Sequence, residues 1–357
     1  MTPVNTSSRL ASLDILRGFD LFLLVFLQPV CVAFGKQLDA PWMNAILYQL
    51  DHEVWVGFRF WDLIMPLFLF MSGVSLPFSL SKYRMATDKK DVYRKIIKRF
   101  VLLFLLGMVV QGNLLGFDLA HIYLYTNTLQ AIASGYLIAA LLLLHGTVRT
   151  QLWATLALLL LYGLLMTFAG DFTPEGNFAN RLDAVLLGRF RGDPSYTWIW
   201  SSLTFGVTVM LGAFAGQMMQ QKDRRKTVVH LCCTGLALVA LGWLWSLQMP
   251  IIKRIWTGSM TLLSGGYCFL LMGIFYYWID CRGHRKGLEW LKIYGMNSIT
   301  AYLLGETINF RCIVHSVSYG LESYLGAYYS AWLTFGNFLI LYLILRFMYR
   351  HKIFLKI

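Results

Sequence analysis

Apolar runs that are each long enough to cross a lipid bilayer recur from one end of this 357-residue chain to the other. Ten of them lie at about 14–35, 57–80, 96–115, 125–145, 150–170, 197–220, 227–247, 256–280, 291–311 and 330–350. Only 14% of the residues are charged, against roughly 25% in an ordinary soluble domain. We therefore predict an all-α polytopic membrane protein with about ten transmembrane helices, in which residues 1–357 form a single domain.

The loops between these runs alternate in charge. Basic segments occupy every second loop, at 82–99, 145–149, 222–226 and 280–287, and again at the C-terminal end. The loops between them are near-neutral or mixed. The positive-inside rule then predicts that both termini are cytoplasmic. The same rule accounts for the net charge of +13, so we expect no nucleic-acid partner.

His52 and Asp62 stand out because they flank the start of the second apolar run. The predicted topology places His52 in the first outer loop and Asp62 one to two turns into the following helix. A charged side chain at membrane depth costs about 2.5–3.5 kcal/mol and usually faces a bundle interior or a cavity. The sequence therefore favours a functional role for this pair, although Asp62 would also suit a helix N-terminus and His52 an interfacial position.

Further polar residues are predicted near each face of the bundle. Toward the outer face lie Gln28, Asn127, Gln130, Lys253, Trp256 and Glu306, and toward the inner face lie Arg17, Asn297 and Ser298. Asn and Ser also serve as contacts between membrane helices, so depth alone does not make them a site. The six cysteines show no metal-ligand spacing, and we predict no metal site.

Three stretches together resemble one family. They are RLASLDILRGFDLFLLVFL at 9–27, DHEVWVGFRFWDLIMPLFLFMSGVS at 51–75, and PIIKRIWTGSMTLLSGGY at 250–267 with YGMNSITAYLLGE at 294–306. They resemble heparan-alpha-glucosaminide N-acetyltransferase and its bacterial relatives, which are transmembrane acyltransferases. The resemblance implies that an acetyl group passes from cytosolic acetyl-CoA, the co-substrate, to an amino sugar on the other side of the membrane. The family's active histidine falls on His52.

The resemblance and the chemistry together suggest roles for these residues. An imidazole with a pKa near neutral can act as general base toward an amine or as a nucleophile that carries the acetyl group, and both routes stay open. Asp51, Glu53 or Asp62 could orient the ring; we favour Asp62 as the second catalytic residue. Predicted contacts of acetyl-CoA are Arg17, Gln28, Asn297 and Ser298, and predicted contacts of the sugar are Asn127, Gln130, Lys253, Trp256 and Glu306.

The chain also departs from the family pattern. Relatives tend to read LQR in the fourth helix, where this chain has Gln130 followed by Ala131. We also expect no counterpart of the animal enzyme's large lumenal N-terminal extension before the first run. We therefore expect a bacterial inner-membrane enzyme that acts on a small or cell-envelope amino sugar, or on a sugar hydroxyl, rather than on heparan sulfate.

The alternative function is a transporter for a small sugar or amino sugar. Polar residues at both faces of a helical bundle are typical of carriers, but the sequence shows neither an internal repeat nor a clear site for a coupling ion. The lipid bilayer is a partner under either function. Small-residue spacing in the apolar runs is compatible with a homodimer.

Overall fold

The computed structural model describes residues 10–38, 40–83 and 88–355, and their regular structure is helical. The first residue of the family-like stretch, Arg9, and part of the basic loop at 82–99, including Arg84, lie outside the described residues. In chain order the helices are α1 (Ala11–Phe22), α2 (Gln28–Gly35), α3 (Pro41–Gln49), α4 (Ile64–Leu80), α5 (Lys90–Val110), α6 (Thr128–His145), α7 (Val148–Phe168), α8 (Phe178–Leu187), α9 (Ser202–Met219), α10 (Arg224–Trp245), α11 (Gly258–Phe275), α12 (Glu289–Met296), α13 (Ser298–Thr307), α14 (Arg311–Ser318), α15 (Glu322–Leu325) and α16 (Tyr329–Arg350).

Short irregular helical segments extend some of these elements. A π-helical segment, Leu23–Leu27, joins α1 to α2, and a second one, Tyr276–Cys281, continues α11. A 3-10 turn, Phe60–Leu63, leads into α4. Within the described chain the β contact is an isolated bridge between Tyr125 and Arg191. The predicted all-α class is thus confirmed.

Eight helical stretches among the described residues are long and apolar enough to cross a membrane. They are Ala11–Gly35, Phe60–Leu80, Thr128–His145, Val148–Phe168, Ser202–Met219, Arg224–Trp245, Gly258–Cys281 and Arg311–Arg350. Each of them overlaps one of the ten predicted runs. The chain is therefore a multi-pass membrane protein, as its composition predicts.

The two remaining runs differ from the prediction. Helix α5 has 21 residues but begins at Lys90, and six of its first ten residues are charged, so its apolar part is short. The run at 291–311 is not one helix, because α12 ends and α13 begins around Asn297, whose ψ of 36° departs from helical geometry. Gly295 and Asn297 both have low helix propensity, which favours an interruption here.

The chain divides into two compact units. We call Tyr48–Leu270 the middle unit, and we call the two flanking parts of the chain, described over 10–47 and 271–355, the terminal unit. In the terminal unit α1 packs against α12 through glycines. A Cβ atom on Gly18 would lie 1.8 Å from the carbonyl oxygen of Leu291, so the two backbones approach as closely as only glycine permits.

In the middle unit α4 and α9 form the central helix pair. A Cβ on Gly73 would lie 1.9 Å from the carbonyl oxygen of Val209, and one on Gly212 would lie 1.9 Å from that of Phe70. Small residues of this kind let membrane helices pack backbone to backbone. The backbones of α4 and α9 are therefore closely packed. The 3-10 turn that carries Asp62 leads directly into α4.

An apolar core supports the loop between α10 and α11. It contains Tyr162, Met166, Ala179, Met249, Ile252 and Ile255, with Trp55, Phe172, Phe178, Trp200 and Trp245 packed against it. The hydroxyl of Tyr162 donates to the carbonyl of Ile255, and Ser201 Oγ donates to the same oxygen at 3.0 Å. The loop that bears Lys253 is thus fixed by burial as well as by hydrogen bonds.

Candidate active site

The carboxylate of Asp62 organises the loop in front of α4. One of its oxygens, Oδ2, accepts hydrogen bonds from the backbone N–H of Arg59 at 3.0 Å and of Glu53 at 3.2 Å. The Asp62 side chain is fully buried, so these donors replace the water that an exposed carboxylate would have. This oxygen therefore folds residues 53–62 into a closed turn and leaves the second oxygen free to face His52.

That second oxygen, Oδ1, lies 2.9 Å from Nδ1 of His52. An ionised carboxylate only accepts hydrogen bonds, so Nδ1 carries the proton and the lone pair of the neutral ring is on Nε2. The His52 side chain is 36% exposed, whereas Asp62 has no exposed surface. The pair therefore has a buried orienting group and an accessible base.

Lys253 completes the cluster from a distant part of the sequence. Its Nζ lies 2.8 Å from Nδ1 and 3.1 Å from Nε2 of His52, and 3.6 Å from Oδ1 of Asp62. Because Nδ1 already donates to Asp62, the nitrogen that can accept from Lys253 is Nε2. The Lys253 side chain is only 8% exposed, so its charge acts with little screening by water.

Local backbone contacts hold Lys253 in this position. The backbone N–H of Trp256 donates to the carbonyl of Lys253 at 3.0 Å, in a turn where Trp256 has a φ of 53°. The indole Nε1 of Trp256 donates to Thr208 Oγ1 at 3.1 Å. The N–H of Gly57 donates to the carbonyl of Ile251 at 2.9 Å and ties this turn to the His52 loop. Trp256 is thus a buried anchor of the turn.

The environment shifts the pKa values of both bases downward. Burial lowers the pKa of the His52 imidazole and the Lys253 charge lowers it further, while the hydrogen bond to Asp62 opposes them. Burial also lowers the pKa of the Lys253 ammonium to about 8, although the Asp62 carboxylate opposes this shift. Near neutral pH the cluster therefore presents a neutral imidazole beside a protonated ammonium.

A second ion pair, which the sequence did not single out, braces the same loop. Arg59 donates from Nε to Glu53 Oε2 at 2.9 Å and from Nη2 to Oε1 at 3.1 Å, and its guanidinium lies 3.8 Å from the ring centroid of Tyr48. The pair lowers the pKa of the Glu53 carboxyl. Glu53 is therefore engaged with Arg59, and Asp51 accepts from the backbone N–H of His52, so neither orients the imidazole as Asp62 does.

Two predicted sugar contacts, Asn127 and Gln130, form a capping box at the start of α6. Asn127 Oδ1 accepts from the N–H of Leu129 at 2.7 Å, and Gln130 Oε1 accepts from the N–H groups of Thr126 and Asn127 at 2.8 and 3.1 Å. Gln130 Nε2 donates to the carbonyl of Leu124 at 2.5 Å. Both side chains are fully buried, and the contacts described here stabilise the helix terminus.

The other predicted contacts belong to the terminal unit. Arg17 lies half-buried on α1, Gln28 begins α2, and Ser298 begins α13. Asn297 is buried, and neither atom of its amide has a hydrogen-bond partner among the described residues. Glu306, near the end of α13, lines a cavity. The middle unit alone brings together His52, Asp62 and Lys253.

A protein-family match covers the part of the chain that contains His52 and Asp62. The model of the family "Heparan-alpha-glucosaminide N-acetyltransferase, catalytic" matches residues 9–248, about two thirds of the chain. The chain belongs to this family. The heparan-alpha-glucosaminide N-acetyltransferase match includes His52 and Asp62 and ends before Lys253. The resemblance seen in the sequence motifs is confirmed.

Two curated relatives carry the same name. The chain is 23% identical to the heparan-alpha-glucosaminide N-acetyltransferase of Mus musculus over 372 aligned positions, which cover 85% of this chain and 54% of that protein. It is 24% identical to that of Homo sapiens over 363 positions, which cover 83% and 52%. The chain thus spans about half the length of these relatives.

Proposed function

We propose that this protein transfers an acetyl group from cytosolic acetyl-CoA to the amine of an extracytoplasmic amino sugar, with His52 as the general base or as the nucleophile that carries the acetyl group. The observation that carries the proposal is the cluster of His52, Asp62 and Lys253, in which an oriented neutral imidazole lies beside a buried ammonium. The family membership supports acyl transfer as the reaction class. The charge pattern of the loops supports an outer position for His52.

The cluster suits attack on a thioester by either open route. As a general base, His52 Nε2 would take the proton that the sugar ammonium loses, so that the free amine forms a C–N bond to the acetyl carbon. As a nucleophile, the same Nε2 would first form the bond to the acetyl carbon and then pass the acetyl group to the amine. In both routes the C–S bond breaks and the leaving thiolate takes up a proton.

Asp62 and Lys253 have separate roles in this proposal. Asp62 holds the ring in one tautomer and stabilises the imidazolium that forms when Nε2 takes a proton. Lys253 would donate to the acetyl oxygen in place of Nε2 once the acetyl group is bound, which leaves the Nε2 lone pair free and stabilises the negative charge of the tetrahedral intermediate. Lys253 is therefore a catalytic residue in this proposal rather than only a sugar contact.

The proposed contacts of the CoA portion remain Arg17, Gln28, Asn297 and Ser298. Asn297 has the firmest structural support, because a buried amide that finds no partner among the described residues costs free energy that a bound ligand would recover. Arg17 suits a phosphate group of CoA, since a guanidinium matches phosphate in charge and geometry.

The test is turnover by purified protein with acetyl-CoA and glucosamine, measured as acetylated sugar and released CoA. We expect His52→Ala to lower kcat by at least about 10³-fold, because removing a group that acts as a base or nucleophile leaves only binding and electrostatic effects. The matched control is His121→Ala. His121 also pairs with a carboxylate, Asp118, at 2.5 Å, but both side chains are mostly exposed.

The outcomes separate the proposal from its alternative. Loss of turnover in His52→Ala with full activity in His121→Ala supports the assigned role. Full activity of a folded His52→Ala protein rejects it. If wild type binds no acyl-CoA but cells accumulate labelled sugar, the protein is a transporter. N-acetylglucosamine as a trial acceptor tells whether a hydroxyl can replace the amine.

A further inference from the structure

A polar cavity in the terminal unit is not used by the proposed chemistry. It has a volume of about 510 Å³, within the roughly 300–1,000 Å³ of small-molecule sites. Its walls come from α2 and the two residues after it, from the end of α13 with the following residues, and from the start of α16. Nine of its fifteen lining residues are polar or charged, so the cavity suits a hydrophilic ligand.

The charged groups of this cavity are one carboxylate and two cations, which belong to Glu306, Lys36 and Arg311. Among the described residues, Glu306 and Lys36 make no ion pair with each other or with a third residue. Arg311 donates from Nη2 to the carbonyl and the hydroxyl of Ser330, at 3.0 and 2.9 Å, while its Nε is buried and has no partner in the described part of the chain. The cavity therefore holds opposite charges that a ligand could pair.

The walls are fixed by hydrogen bonds, so the cavity is preformed. Asn337 Oδ1 accepts from the N–H of Phe310 at 2.6 Å, and Asn309 Oδ1 accepts from the N–H of Arg311 at 2.9 Å. Asn337 thus ties the backbone between α13 and α14 to α16, and Asn309 fixes the turn that leads into α14. Asn337 is buried, and its NH₂ group has no further partner within the described part of the chain.

The geometry points to a site for a small zwitterion that carries a primary ammonium and a phosphate group. Glu306 would bind the ammonium, and Arg311 with Lys36 would bind the phosphate, which a guanidinium matches in shape and charge. A quaternary ammonium fits less well, because such groups are held by several aromatic rings and, of the described residues that line the cavity, only Phe338 is aromatic. This assignment does not depend on acetyl transfer.

Two kinds of molecule carry this chemistry, namely an amino-sugar phosphate and the headgroup of an ethanolamine phospholipid. The ammonium and phosphate groups that both molecules share are tested first. The experiment is a calorimetric titration of O-phosphoethanolamine into the purified full-length protein in detergent, without any acyl donor. We expect saturable binding, with Kd raised about tenfold or more by Glu306→Gln and by Lys36→Gln, since each variant removes a charged hydrogen-bonding partner. Choline phosphate should bind at least about tenfold more weakly than phosphoethanolamine.

Control variants keep the test independent of folding. Glu322→Gln removes an exposed carboxylate of α15 that is not part of the cavity, and it should leave Kd unchanged. Lys36 is exposed, so its substitution should not disturb the fold. Arg311→Lys keeps the positive charge but loses the planar guanidinium group, and we expect it to weaken phosphoethanolamine binding too.

Glucosamine 6-phosphate and a short-chain phosphatidylethanolamine then distinguish the two sources. Tighter binding of the sugar phosphate assigns the cavity to a soluble or glycan ligand, and tighter binding of the lipid assigns it to the bilayer. The proposal is overturned if phosphoethanolamine does not bind, if choline phosphate binds equally well, or if Glu306→Gln and Lys36→Gln bind like wild type. Because no acetyl group is present, none of these results bears on His52.

Discussion

At the scale of single residues, the proposed chemistry depends on a difference in protonation between His52 and Lys253. Their pKa values are both lowered, yet that of Lys253, at about 8, stays above neutral while that of His52 lies below its ordinary value. In the proposed mechanism the active state therefore has a neutral imidazole and a charged ammonium. We expect kcat/KM to rise with pH as His52 loses its proton and to fall again above about pH 8 as Lys253 loses its own.

Lys253→Met tests this assignment. Loss of the ammonium should lower kcat/KM by about 10²-fold at pH 7 and abolish the alkaline decline. It should also move the rise of kcat/KM on the acidic side of the pH profile to higher pH, because removing a neighbouring positive charge raises the pKa of His52. The measurement is the pH profile of kcat/KM from pH 5 to 9.5 with one acceptor, so that the acceptor's own titration cancels between variants. Lys226→Met, at an exposed site, is the control. An unshifted rise on the acidic side would contradict the assigned coupling.

At the scale of elements, Asp62 links loop structure to ring orientation. Its Oδ2 closes the turn before α4, and its Oδ1 accepts from His52. In Asp62→Asn the amide oxygen can still cap the turn, but the NH₂ group then faces Nδ1 and favours the wrong tautomer. We expect kcat to fall by about 10³-fold or more, with a melting temperature close to that of wild type.

The comparison with Asp62→Ala separates the two roles. Alanine removes both acceptors, so this variant should lose activity and also unfold at a lower temperature, because the part-buried N–H groups of Glu53 and Arg59 lose their partner. Asp118→Asn, in the exposed His121 pair, should change neither property. If Asp62→Asn were fully active, the carboxylate would be a loop cap only. Melting curves and initial rates on the same samples decide between these readings.

At the scale of the whole molecule, the sequence predicts membrane-crossing helices well because insertion depends on the composition of each segment taken alone. It predicts the pairing of His52 with Asp62 because both lie within one short motif. It places Lys253 only at a similar depth, since the contact joins residues 201 apart and is set by tertiary packing. The capping box of Asn127 and Gln130 matches a known sequence signature, and the contacts of these residues with a sugar stay a prediction. The sequence does not predict the break at Asn297, because the apolar run continues through it.

The orientation of the whole chain in the membrane is still a prediction, and it decides whether the proposed acetyl transfer crosses the bilayer. Val54, beside His52, is 70% exposed, and Lys222 is exposed in a basic loop. In a chain whose six native cysteines are replaced, we expect a membrane-impermeant maleimide to label Val54→Cys on intact cells, and Lys222→Cys only after permeabilisation. The reverse pattern would put His52 on the same side as cytosolic acetyl-CoA. Donor and acceptor could then meet without crossing the membrane, and the buried Asp62 and Lys253 would serve a transfer confined to the cytoplasmic face.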